Sequence, residues 1–207
     1  MLEQGDWNTT GYPYTLHTLQ DVCQGLDEGK FLYTDIFQPE RQVYDSGHTV
    51  LPIPLPLRLA RMLHKSREEF QHGYKRSQGF HKAAARMLES GEPELAAFML
   101  HQSVEQLLRG FHMAITGQEV KTHMLSELVK HIRRYAPVVW NCCGPVGEDG
   151  RTLITLLEKA YVCGRSAPHF KAEPEILEAC MQQVAGLQEA VAASYHNSEQ
   201  VYKVCHA

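Results

Sequence analysis

The chain has 207 residues, 43% of them hydrophobic and 21% charged, which excludes a disordered or fibrous protein and allows a buried core of ordinary size. A formal net charge of −4 excludes a chain that is a basic nucleic-acid binder as a whole, so any RNA contact requires a local basic patch. Six cysteines without a CxxC spacing, and a start (MLEQGDWNTT) without the basic and apolar segments of a signal peptide, predict a cytoplasmic protein with reduced thiols.

No window approaches the roughly 18 uninterrupted apolar residues of a membrane span, so no membrane contact is expected. Twelve histidines are scattered without HExxH or any paired spacing on one helix face, so neither a metal nor a cofactor is expected. The adjacent Cys142 and Cys143 read as two free thiols in a loop before Gly144-Pro145.

In chain order, residues 1–56 mix aromatic and β-branched residues with turn formers. They predict a short helix followed by two extended runs, 31–37 and 41–44, joined by a Pro-containing turn as a hairpin. LPIPLPL, residues 51–57, has proline at alternate positions, which disfavours helix and marks a connector. A helix is expected over 57–89, with Gly73 and Gly79 as points where it can bend and with HKSREEFQHGYKR as a solvated face.

Ser90-Gly91-Glu92-Pro93 supplies a glycine stop and a proline start for the next helix, which runs to Thr116-Gly117. Its apolar positions, Leu95, Phe98, Met99, Leu100, Val104, Leu107, Leu108, Phe111 and Ile115, make more than one stripe. Such a helix needs cover on several sides and belongs in the middle of a bundle. His101, Gln102 and Glu105 lie within about one turn of each other on it, a polar cluster that is either an internal network or part of a site.

A third helix is expected over 122–135 with Thr122 as N-cap and His123 in its first turn, followed by a loop over 138–150. A fourth covers about 152–163, and a fifth starts at Pro174 with Leu177, Cys180, Val184, Leu187 and Val191 on one seam. The C-terminal residues 198–207 read as frayed. The fold class is therefore mainly α: a five-helix up-and-down bundle with a small N-terminal α/β appendage containing a short hairpin.

The segments AAFMLHQSVEQLL (96–108), TGQEVKTHMLSEL (116–128) and LLEKAYVCGR (156–165), with the closing amphipathic helix, resemble the HEPN domains (higher eukaryotes and prokaryotes nucleotide-binding). The resemblance implies a dimeric helical bundle over 57–197. Residues 1–56 resemble the last helix and hairpin of a minimal nucleotidyltransferase domain, without its Gly-Ser turn and paired metal-holding Asp residues. The implied function is a noncatalytic nucleotide-binding and dimerisation module that works with a nucleotidyltransferase partner or domain.

Active HEPN proteins resemble one another in an Arg and a His separated by four to six residues, which cleave RNA without metal. Arg165 and His169 are the matching pair here, with three residues between them, one fewer than that pattern. The alternative is accordingly a metal-independent ribonuclease, as in a toxin-antitoxin pair, using Arg165 and His169. The candidate ligand-binding residues are Arg165, His101, Gln102, Glu105 and His123, with Arg165 also a candidate partner for the Glu105 carboxylate.

Overall fold

A computed structural model describes residues 16–28, 33, 37, 42–50, 52, 56–133, 135–143, 152–166 and 173–205. Among them are seven helices: α1 (Leu19–Asp27), α2 (Pro56–Glu89), α3 (Pro93–Thr116), α4 (Leu125–Ile132), α5 (Pro137–Asn141), α6 (Leu153–Ser166) and α7 (Pro174–Cys205). The chain divides into two compact units, Met1–His64 and Lys65–Ala207.

In the first unit, Thr18 and Asp21 form a reciprocal capping box at the start of α1. The Thr18 hydroxyl, donating at 2.7 Å, and then the Thr18 amide hold the exposed Asp21 carboxyl below the usual carboxylate range. Val22 and Leu26 of α1 pack with Tyr33 and Phe37. The expected hairpin is not formed among the described residues. Tyr33 is helical, and the Phe37 amide donates to the Tyr33 carbonyl at 3.0 Å, a one-turn step. That step brings the two rings to 6.3 Å, stacked, which an extended chain cannot do across four residues. Residues 42–44 have no regular structure, and the rest of both runs lies outside the described residues. The described part of this unit is therefore helical, not α/β.

The second unit is built around α3. Fourteen of its 24 residues are buried, among them Leu100, Val104, Leu107, Leu108 and Phe111. It packs against α4, α6 and α7. Full burial of each large apolar side chain contributes about 1.5–3 kcal/mol, which is why the helix with the widest apolar surface takes the centre. The glycine stops work as their chemistry requires: Gly91 has φ 78° and Gly117 φ 64°, both left-handed, and the Gly117 amide donates to Met113 O at 2.8 Å.

The contact of α2 with α3 depends on two glycines. A Cβ built on Gly73 would lie 2.6 Å from the Gly110 Cα, and one built on Gly110 would lie 2.7 Å from the Gly73 Cα. Gly73 thus serves as a contact point in a continuous 34-residue helix. One turn further along, Ser77 and Ser103 hydroxyls meet at 3.1 Å and the Gln188 amide of α7 donates to Ser77 at 2.8 Å, tying three helices with one buried polar knot. The residue pairs 73/110 and 77/103 show α2 and α3 antiparallel, and 66/195 and 77/188 show the same for α2 and α7.

Three boundaries differ from the sequence reading. The third helix begins at Leu125 and ends at Ile132, with Met124 as N-cap, because the Thr122 hydroxyl accepts from the Met124 amide before the helix starts. The capping carboxylate comes from elsewhere: Glu158 of α6 accepts from the Ser126 amide at 2.7 Å. The expected loop over 138–150 contains the short helix α5, started by Pro137.

Replacing Gly110 with Ala is expected to cost about 1–3 kcal/mol in urea unfolding, because backbone rather than a side-chain tip must move. Gly79→Ala, with open space around its Cβ on a helix surface, is expected to stabilise by about 0.5–1 kcal/mol.

Candidate functional site

The polar cluster of α3 is centred on the Glu105 carboxylate, which is 2% exposed. Burying a charge at that depth is costly unless it is paired and hydrogen-bonded. Four side chains meet it. Arg109, one turn on, donates to Oε1 at 3.2 Å and also reaches Glu119 at 3.3 Å. The Gln102 amide donates to Oε2 at 3.2 Å. His123, from the segment before α4, places Nδ1 2.9 Å from Oε1. His101 Nδ1 lies 3.8 Å from Oε2.

The two histidines have opposite environments. His101 is fully buried, and its ring lies over Tyr161 of α6 at 4.3 Å and 14°. The Gln102 amide nitrogen, fixed by its bond to Glu105, faces His101 Nδ1 at 3.4 Å. His101 Nε2 is buried and has no hydrogen-bond partner among the described residues. Burial pushes its pKa down to about 4, against the Glu105 carboxylate and the His123 backbone carbonyl, which favour the charged ring.

His123 is 62% exposed at its side chain. A carboxylate cannot donate, so Nδ1 carries the proton shared with Glu105 and Nε2 is left toward solvent. Its ring is also stacked beside Tyr161 at 6.0 Å and 26°. Tyr161 is the common wall of the cluster, since Phe98 lies on it too, at 6.0 Å and 9°.

Four of the sequence-predicted site residues, His101, Gln102, Glu105 and His123, are thus brought together. Arg165 stands on α6 four residues, one turn, after Tyr161. Its side chain lies outside the described residues, as does all of His169. The described cation on Glu105 is Arg109. Arg109 and Tyr161 were missed by sequence reasoning. The four-residue step from Glu105 to Arg109 was legible as a helical ion pair; the approach of Tyr161 was not, because it depends on how α6 packs on α3. His123 lies before α4 instead of in its first turn.

Among the described residues no group of three or more His, Cys, Asp or Glu side chains is placed to hold a metal ion. Cys142 and Cys143 are free thiols. Burial raises the Cys142 pKa and pushes that of Cys143 up to about 12, which leaves little thiolate for redox chemistry. No described helix is long and apolar enough to cross a membrane.

The family model of the HEPN domain matches residues 70–194, more than half of the chain and all of the helices that form the cluster. The chain belongs to the HEPN family. No curated protein matches it.

The His101 environment fixes a pH dependence. Its folded pKa is below the 6.5 of the free side chain, so the unfolded chain binds more protons between the two values. The stability from this residue is complete above pH 6.5 and is lost as pH falls toward about 4. As pH falls through that window the wild type is expected to lose on the order of 3 kcal/mol of unfolding free energy relative to His101→Phe.

Proposed function

We propose that this HEPN chain is a cytoplasmic, noncatalytic nucleotide-binding and dimerisation module that works with a nucleotidyltransferase partner or domain. The observation that carries the reading is His123, an exposed imidazole held at 2.9 Å by a carboxylate that is itself buried and paired. A surface histidine fixed in this way offers a preset polar contact at no ordering cost to a ligand. Tyr161 beside it supplies an aromatic face, and Arg165 follows one turn later on α6, where a guanidinium suits phosphate oxygens. Leu95, Met124, Val138 and Val162, each 38–56% exposed, are apolar surface that a second copy can cover.

Calorimetric titration with ATP, GTP and UTP tests the binding role. At least one nucleotide is expected to bind, with His123→Ala and Glu105→Gln each weakening it about tenfold or more; no heat and no thermal shift with any of the three contradicts it. In solution the mass is expected at twice the 23.5 kDa of the chain.

One observation favours a second reading, a metal-independent ribonuclease of toxin-antitoxin type using Arg165 and His169. A histidine whose Nδ1 is held by a carboxylate has Nε2 available for proton transfer, and His123 is such a histidine. RNA cleavage that Arg165→Ala abolishes decides for this reading, and equal cleavage by both proteins, or none by either, contradicts it.

A further inference from the structure

Arg109 holds two carboxylates with unequal strength. Its Nη1 bonds Glu105 Oε1 at 3.2 Å, and its Nη2 bonds Glu119 at 3.3 Å. The Glu105 side chain is 2% exposed, so loss of its partner would strand a buried charge. The Glu119 side chain is 64% exposed and is held by one contact, longer than the roughly 2.7–2.9 Å of a well-formed charge-assisted bond. An exposed pair of that geometry adds little to stability. One edge of the guanidinium is therefore fixed, and the other is covered by a group that leaves easily.

Charge balance does not require Glu119. Glu105 already matches Arg109, and it is further satisfied by the Gln102 amide and the His123 ring N–H. Glu119 lies in residues 118–124, which join α3 to α4 without regular secondary structure and are tied to the cluster by Glu119 on Arg109 and His123 on Glu105. Lys121, between these two ties in sequence, is exposed and has no hydrogen-bond or ion-pair partner among the described residues. Arg109 Nη1 and His123 Nδ1 bond the same oxygen, Oε1, so the guanidinium stands beside the imidazole. With its proton on Nδ1, the neutral His123 ring presents Nε2 as an acceptor, which suits a ligand O–H or N–H and not a phosphate oxygen. The anionic end of a ligand on His123 needs a cation beside that ring, and Arg109 is the cation the described residues place there.

We infer that Arg109 is a phosphate contact for the ligand that binds at His123, and that Glu119 is an internal competitor, a carboxylate that covers this contact in the free protein and is displaced by the phosphate. A phosphate offers several oxygens and up to two charges to the guanidinium fork, where Glu119 offers one long contact. The exchange also selects among ligands. A nucleoside brings no anion that can displace Glu119, whereas a nucleotide does. This inference rests on the nucleotide-binding reading and adds to it a further contact residue and a built-in brake.

The test is calorimetric titration of the full chain with ATP, GTP, UTP and the matching nucleosides, with thermal melts as a check of folding. Glu119→Gln is expected to tighten binding of the triphosphate about threefold or more, as removal of a weak competing pair allows, and to leave the nucleoside unchanged. Arg109→Lys keeps a cation beside Glu105 but loses the fork, and is expected to weaken the triphosphate about tenfold with the nucleoside unchanged. Glu178→Gln, which removes an exposed carboxylate of α7, is expected to change neither. Triphosphate affinity that Glu119→Gln leaves unchanged or lowers, an equal gain for the nucleoside or with Glu178→Gln, or affinity untouched by Arg109→Lys overturns the inference while the nucleotide-binding reading stands. No binding of any triphosphate to the wild type or to Glu119→Gln overturns both.

Discussion

The arrangement of the bundle unit depends on one buried carboxylate. Glu105 sits on the most enclosed helix of the chain, where an unpaired charge cannot be kept. Its partners come from its own helix (Gln102 and Arg109) and from the segment before α4 (His123). Satisfying the charge therefore fixes where that segment runs. Glu158 of α6 acts on the same junction by capping α4, so two acidic residues from two helices set the position of a third.

The same requirement produces the contrast between the two histidines. His101 is enclosed between Tyr161 and the carboxylate and is held neutral by burial, which makes it a packing element of the site floor. His123 spends one ring nitrogen on Glu105 and leaves the other to solvent. A buried network with one exposed terminus is what distinguishes a preset binding group from a satisfied core. This distinction carries the proposed role in ligand binding.

Much of the fold was legible because its signals were local. The stops at Gly91 and Gly117, the starts at Pro93 and Pro174 and the apolar breadth of the second bundle helix each follow from one residue's backbone chemistry or from periodicity. The signals that failed required knowledge of a distant partner. Thr122 looks like an N-cap, but the carboxylate that caps α4 belongs to Glu158, 32 residues from Ser126. Gly73 looks like a weak point and is a contact, because Gly110 faces it. Tyr33 and Phe37 have strand-forming side chains, yet packing on α1 selects the helical step. At the candidate site, the grouping of His101, Gln102 and Glu105 was readable from helical spacing; the closure of that group by His123 was not, since the neighbour expected for Glu105 was Arg165. The aromatic wall of Tyr161 was not, since no spacing encodes the contact of α6 with α3.

The most direct measurement is the ¹⁵N spectrum of the histidine rings with and without nucleotide. The account predicts that His123 is a single Nδ1-protonated tautomer, that Glu105→Gln abolishes this preference, and that adding nucleotide shifts the His123 nitrogens while those of His101 stay where they are. A His123 ring that averages between tautomers in the wild type, or that is unmoved by any nucleotide, would contradict it.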